Sequence, residues 1–523
     1  MGLMTPTEVV AIGRSSSLTR KRITAATTDP PGLSDLGAVA PRTDSPWRVA
    51  RVRHAGRSDE RFSLAEQELA TLLAEDGCPI CRTLHGQERH YFFWFLLEGC
   101  KDSRVLDNFT RSLGFCAMHA RYAVAQGRGQ GRLAATHAIA TRRLREIFAH
   151  DRHRGAWQTE VVAGGGRPLP CPACRAAETS ARRAAFFLTK LIRRDDGRER
   201  YGAPGLACLP HLALLVPLLA DPALDRLLTL HDTALTEAAR RDDANHAARL
   251  RLAVGHAPSL ELWPPLSPAE SPAPPADPVA VLAADMRGAH CPACLEVHRA
   301  GAAWRAWLDA AARTGETISD LLPTCPRHVW AVFQSAGPAL AEQLVGHALG
   351  AARNAIAFAL RKVHEPPPKP DPRRPIEALI RLVQGRRSSI RVARGALVRP
   401  PRCPLCDRLA VARDQRLRLM AAMLEQHRHR ADYEAGHGLC LDHFARLIAL
   451  RPEPRVREVL YEVQGAKLAI LACALEEFSR KSAWQWRPEP MGAERLAPRQ
   501  ALVRFSGTLD FAAARAPVAD GSR

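Results

Sequence analysis

Several things are scarce or missing in this chain, and each absence removes a class of explanation. Lysine is rare, seven residues against 67 Arg; beside abundant Ala and Leu this matches the codon bias of a GC-rich genome. The net charge of +20 therefore does not by itself mark a nucleic-acid surface. Long apolar runs are absent. The longest, Leu206 to Ala220, is 15 residues and contains His211 and Pro217, short of the roughly 20 needed to cross a bilayer. The opening stretch MGLMTPTEVVAIGRSSSLTRKRITAATTDPPG lacks the apolar core and small-residue cleavage site of a secretory signal. A cytoplasmic location follows, where thiols stay reduced. Gly164, Gly165 and Gly166 have no Lys-Ser/Thr after them, so they make a connector and not a phosphate loop. No Ser-His-Asp order or paired-carboxylate motif stands out, which disfavours an enzyme.

What is present is a globular composition in pieces. Of 523 residues 46% are apolar and 24% charged, while 40 Pro and 34 Gly demand linkers. At about 150 residues per unit this predicts three or four domains. Twelve of the 14 Cys obey one pattern that recurs four times: Cys-Pro-x-Cys, a gap of 30 to 34 residues, then Cys-x-x-His. The quartets in chain order are Cys78, Cys81, Cys116 and His119; Cys171, Cys174, Cys208 and His211; Cys291, Cys294, Cys325 and His328; and Cys403, Cys406, Cys440 and His443. Their starts are 93, 120 and 112 residues apart, which makes this a domain-scale duplication.

Each unit carries the same helical punctuation. Pro after the first Cys fixes φ and lacks an N–H, both suited to the first helical position, so each Cys-Pro predicts a helix start. Pro326 and Pro210 give the Cys-x-x-His pairs the same preference. Thirteen residues after the second Cys stand Trp94, Phe187, Trp307 and Leu419, followed by Phe95, Leu188, Leu308 and Met420. That recurrence predicts one helix buried on one face. A second helix follows each motif His. A third covers Arg132 to His150, Ala223 to Asp243, Pro338 to Val363, and Val456 to Trp484. The expected fold is all-α: four tandem three-helix, metal-stapled modules on Pro-rich linkers with disordered termini.

The boundaries that follow are a basic, disordered segment over 1–64, modules over 65–150, 165–243, 285–363 and 399–484, a Pro-rich linker over 244–284, a basic Pro-rich linker over 364–398, and a disordered tail over 485–523. Pro366 to Arg402 is the densest basic stretch, with a charge of +8 and no aromatic residue to stack on a base.

Three sulfurs and one imidazole at two helix starts are the donor set of a closed tetrahedral zinc site. Helix N-termini lower thiol pKa toward the metal-binding thiolate. About four Zn²⁺ per chain are expected, each held by the quartet of one unit, and replacing Cys116 by Ser should then unfold the first unit chiefly. Disulfides would strand one thiol per unit, and a thioredoxin-type pair needs a βαβ context that is lacking. Cys3His-ligated iron–sulfur clusters remain the alternative.

Other candidates weigh less. His137, His231 and His347 lie on the third helices 18 to 20 residues past the motif His, with Glu462 nearby in the fourth unit; a packed structural role is the simpler reading. His85 and His298 follow the second Cys by four residues and could shield the sulfurs, but Glu178 and Ala410 replace them in the other units. Trp94, Trp304 and Trp307 are expected to fill cores, Cys100 and Cys473 to be buried apolar residues, and the HRHR run from His427 to be a solvated face.

The first unit carries CPICRTLHGQERHYFFWFLLEG, then NFTRSLGFCAMH, then GRLAATHAIATRRL. It resembles an uncharacterised bacterial family of small helical domains with Cys-Pro-x-Cys, Gly-Phe-Cys-x-x-His and a later Thr-His. The later units keep the ligand frame and drift elsewhere, and the Thr-His pair is matched only at Thr136 and His137. The resemblance implies a helical metal-binding fold and no known activity. The function expected is a non-enzymatic scaffold that presents helices to a protein partner, or to nucleic acid or another polyanion, with iron–sulfur electron transfer as the alternative.

Overall fold

Proline directly after cysteine starts helices throughout the chain, and nineteen helices with no strand occur among the described residues of the computed structural model. These residues are 63–507 except 126–129, 155–156, 158, 161–168, 203–204, 220, 242–244, 257–276, most of 365–402, and 483–488. Helix α1 (Leu64–Leu72) precedes the first unit, which consists of α2 (Pro79–Leu97), α3 (Ser103–Arg111), α4 (Ala117–Ala125) and α5 (Gln130–Arg154). The second unit has α6 (Pro172–Ile192), α7 (Asp195–Arg200), α8 (Leu209–Leu215) and α9 (Asp221–Arg240), followed by α10 (His246–Val254). Helix α11 (Pro278–Arg287) leads into the third unit, α12 (Pro292–Arg313), α13 (Pro326–Phe333) and α14 (Pro338–His364). The fourth comprises α15 (Pro404–Leu424), α16 (His427–Ala435), α17 (Leu441–Ala449) and α18 (Pro454–Ser482), and α19 (Ala497–Ser506) comes last. The fold is all-α with four modules. No helix among the described residues is long and apolar enough to cross a membrane.

Within each unit the first helix buries the position fourteen residues past the second Cys: Phe95, Leu188 and Leu308 are fully buried and Met420 nearly so. The neighbouring position sits on the rim, and Trp307 is 44% exposed. Trp307 therefore does not fill the core as expected, because one residue turns the side chain about 100° around a helix. Trp94 and Trp304 are half-buried.

The first helices pack in antiparallel pairs, α2 with α6 and α12 with α15. Ile80 and Cys81 at the start of α2 share one core with Leu188 and Leu191 at the end of α6, together with Leu308 and Ala311 at the end of α12 and Leu405 at the start of α15. Phe92 and Phe95 near the end of α2 share a second core with Cys171 and Ala173 at the start of α6, with Ala293 of α12 and with Leu417 of α15. Each first helix thus spans from one core to the other. The long third helices pair as well, α5 against α18 and α9 against α14. Unit one touches two, two touches three, three touches four, and four returns to one, so the modules close into a ring.

Two expectations about linkers and tails need correction. Helix α10 folds within 244–284, α11 begins there and runs on to Arg287, and α19 folds within the tail. Ala497, Ala501, Leu502 and Phe505 of α19 are buried. They follow helical spacing, but over ten residues, too short a run to stand out from the surrounding Pro and Arg. Helix α19 packs on α5, α18, α17 and α4, and Ser506 Oγ donates a hydrogen bond to Phe115 O at 2.9 Å. The expected disorder over 1–62 and 508–523, and nearly all of the basic linker, lie outside the described residues.

Phe505 stacks on Phe109 with centroids 6.3 Å apart and meets the His137 ring edge-on at 4.9 Å. Phe505→Ala is expected to cost about 3–5 kcal/mol in urea unfolding, the usual loss for a buried aromatic; an unchanged midpoint would contradict the packing of the tail. His137 is sealed beneath it and donates from Nδ1 to Leu133 O at 2.7 Å. Burial lowers its pKa to about 4. The folded value lies below the unfolded one of about 6.5, so stability is fully present above pH ~6.5 and is lost as pH falls toward ~4, by about 3 kcal/mol from this group. His137→Gln should flatten that part of the stability–pH curve relative to the parent chain.

Candidate metal centres

Cysteine occupies the N-cap of each first helix, at Cys78, Cys171, Cys291 and Cys403, and of α8, α13 and α17, at Cys208, Cys325 and Cys440. At such a position the side chain leans over the first turn, and the residue three places on shares its face. All sixteen Cys and His residues of the repeat converge in four groups whose ligand atoms lie within 4.8 Å of one another.

The groups are not those of the individual units. Cys78 and Cys81 meet Cys208 and His211; Cys116 and His119 meet Cys171 and Cys174; Cys291 and Cys294 meet Cys440 and His443; Cys325 and His328 meet Cys403 and Cys406. Every cluster joins the Cys-Pro-x-Cys of one unit to the Cys-x-x-His of its partner, so the intra-unit quartets of the sequence reading are corrected. The reason is helix length. The first helices run 19 to 22 residues, about 28–33 Å at 1.5 Å per residue. Each unit's Cys-x-x-His follows from the far end of that rod, where the antiparallel partner places its own helix start. Two half-motifs exchanged in this way form two clusters at opposite ends of one helix pair.

The contacts are uniform. In the first cluster His211 Nδ1 lies 3.4, 3.3 and 3.2 Å from the sulfurs of Cys78, Cys81 and Cys208. In the second, His119 Nδ1 is 3.3, 3.6 and 3.3 Å from Cys116, Cys171 and Cys174. In the third, His443 Nδ1 is 3.4, 3.4 and 3.3 Å from Cys291, Cys294 and Cys440. In the fourth, His328 Nδ1 is 3.7 and 3.2 Å from Cys403 and Cys406. Sulfur pairs stand 3.6–3.8 Å apart. No disulfide forms among the described residues.

Such proximity is costly without a cation. Hydrogen bonds from Cys171 and Cys174 hold the Cys116 thiol far below its ordinary range. Contacts with Cys116 and Cys171, together with burial, push Cys174 far above it. The fourth cluster repeats this: Cys403 is held down by Cys325 and Cys406, and Cys406 is pushed up by Cys325 and Cys403. One thiol is held down and another pushed up in each, since adjacent thiolates in a low-dielectric site repel. A divalent ion at the centre would satisfy all three.

Around the ligands lies a layer that motif reading did not find. His119 Nε2 donates to Glu88 Oε1 at 3.2 Å, and Glu88 is 6% exposed. This turns the Nδ1 lone pair toward the sulfurs, as a carboxylate does for a metal-bound imidazole. Helices α10 and α19 each end on a glycine laid against a cluster. Gly255 has φ +78°, and a Cβ there would meet Cys208 Sγ at 3.0 Å; Gly507 has φ +88°, and its Cβ would meet Cys294 Sγ at 3.1 Å. Only glycine suits both the backbone and the approach. Trp330 Nε1, from the third unit, donates to Gly255 O at 3.0 Å.

His231 donates from Nδ1 to Leu227 O at 2.8 Å, and Tyr201 Oη lies 3.3 Å from its Nε2. The same hydroxyl accepts from the Ala207 N–H at 3.2 Å, fixing the chain just before Cys208. In the fourth unit Gln464 Nε2 and Arg504 Nη1 hold Leu439 O, just before Cys440, at 3.0 and 3.1 Å. Tyr201 and Tyr433 both lie seven residues before a motif Cys, a signal visible in the sequence.

No protein-family model, curated protein or solved structure matches this chain.

The remaining candidates fall outside the clusters. His137 and His231 are buried structural residues, and His347, Glu462, His298 and the exposed His85 join no cluster. Cys100 is half-buried and Cys473 exposed, so neither is the buried apolar residue expected. His429 in the HRHR run is buried, with Nδ1 3.4 Å from Asp432 Oδ2, so that face is not wholly solvated.

Because the clusters are exchanged, Cys116→Ser should loosen two units and not one. Hydrogen exchange is expected to speed up at the start of α6 as well as in α4, while the first turn of α2, held by a separate cluster, keeps its protection. Acceleration confined to α2–α5 would contradict the exchanged pairing.

Proposed function

We propose that this protein is a non-enzymatic zinc scaffold in which four Cys3His ions staple helix pairs into a ring that offers its outer helix faces to a protein partner. The observation that carries this reading is the ligand spacing. A tetrahedral ion with Zn–S of about 2.3 Å and Zn–N of about 2.0 Å separates its donors by about 3.5–3.8 Å. The sulfur pairs stand at 3.6–3.8 Å, and the sulfur–nitrogen distances at 3.2–3.7 Å. An iron–sulfur cluster places ligands on different irons across bridging sulfides, a wider frame than 4.8 Å between the outermost atoms allows.

Four protein donors close the coordination shell, which suits structure and leaves no position for substrate. Docking of a protein is favoured by aromatic side chains left outside on the first helices: Phe93 is 62% exposed, Phe186 47% and Trp307 44%. Linked modules would add avidity. The charge of +20 makes a nucleic acid or other polyanion the competing partner, recognisable by binding that collapses as salt rises. The cytoplasm suits 14 free cysteines, and the resemblance of the first unit to a bacterial metal-binding helical family belongs to the same reading.

The purified chain is expected to be colourless and to carry four zinc ions by elemental analysis, one for each cluster. Chelation should then remove helicity, because structural zinc contributes roughly 10–16 kcal/mol of apparent binding energy in small domains. A brown protein with broad visible absorbance would sink the zinc assignment. Zinc-free protein of full helicity would sink the structural role.

A further inference from the structure

We propose that the fourth cluster, Cys325, His328, Cys403 and Cys406, is an oxidation site for hydroperoxides that releases its ion while the other three persist. The inference rests on the metal reading above and adds to it a difference among the four sites.

That difference is access. Of the sixteen ligand residues Cys406 alone is exposed, and Cys325 beside it is half-buried. The third cluster has all four ligands buried, with Gly507 laid over its sulfurs. The first has three buried sulfurs and the Gly255 backbone as a cover. The second exposes parts of Cys116 and Cys174, but its imidazole is buried and held by Glu88. Solvent reaches a sulfur most openly at Cys406, and Asp407, Arg408 and Val411 after it are exposed as well. Oxidation of thiolates follows access.

A second sulfur is close enough to complete the reaction, since Cys325 Sγ lies 3.6 Å from Cys406 Sγ. The Cys406 sulfur attacks one oxygen of the hydroperoxide; the O–O bond breaks, and the departing hydroxide takes a proton from solvent to become water (an alkoxide, becoming alcohol, for an organic hydroperoxide). The sulfenic acid left on Cys406 is attacked by the Cys325 sulfur. An S–S bond forms, the S–O bond breaks, and a second water leaves with another solvent proton. Two thiolates lose two electrons and one hydroperoxide accepts them. The site then keeps two donors of four and can no longer hold its ion. The new bond would replace the metal as the tie between the third and fourth units, so the ring would stay closed while the site changes state.

The test uses the full zinc-loaded chain carrying Cys473→Ser, which removes an exposed thiol outside the clusters. Hydrogen peroxide is added at one equivalent, freed zinc is read with a chromogenic chelator, and alkylated samples are mapped by mass spectrometry. One ion of four is expected to leave about tenfold faster than the rest, in step with a disulfide containing Cys406, and thiol reductant with zinc should reverse both. Release of all four ions in one phase, or a first disulfide in another cluster, would overturn the proposal and leave the metal reading standing. A chain that holds no metal before peroxide is added would overturn both.

Discussion

The antiparallel pairing of the first helices governs the rest of this structure. A rod of 19 to 22 residues that starts on a Cys-Pro cannot present both halves of its motif at one end. The chain resolves this by laying a second such rod alongside in the opposite sense. Each end then acquires one helix start from each unit and three sulfurs and an imidazole between them. No single module holds a complete site, and the smallest self-sufficient piece is a pair. The third helices and the terminal helix α19 then join pair to pair.

The exchange also alters what each metal contributes. Ligands within one unit would close a loop of a few tens of residues, whereas the observed contacts link positions 127 to 152 residues apart in the first and third clusters. Tying distant points removes more freedom from the unfolded chain than tying near ones, although the gain grows only logarithmically with loop length. The buried sulfurs add a conditional element: without a cation their mutual repulsion opposes the same packing that a cation rewards. Metal and fold are therefore coupled through charge as well as through connectivity.

Local features were legible because they are local. Cys-Pro marks helix starts, and the apolar position that became Phe95, Leu188, Leu308 and Met420 is buried in all four units. The long third helices begin and end within a few residues of their expected limits, as at Pro338–His364. What could not be read was partnership. Spacing places Cys78 and Cys116 in one repeat and is silent on which copy of the repeat each will face. Helix length was the available hint, since the periodic stretch from Pro79 to Leu97 already separates the half-motifs. The supporting residues were hidden for another reason. Glu88 is an acid on an otherwise mixed helix until His119 folds over it, and Gly255 and Gly507 sit outside the repeat frame altogether. Their shared role emerges only when the chain is divided into two halves of two units each.

The exchanged sites impose an order on biosynthesis. As the polypeptide leaves the ribosome, Cys78 and Cys81 emerge with no complete set of donors and must wait for His211, more than a hundred residues later. The third cluster repeats the delay, since Cys291 is not answered until His443, and Gly507, which covers that site, emerges later still. A nascent chain is thus left for long intervals with reactive, unpaired thiols. Loading of the first and third sites becomes a report that both halves of a helix pair have been made.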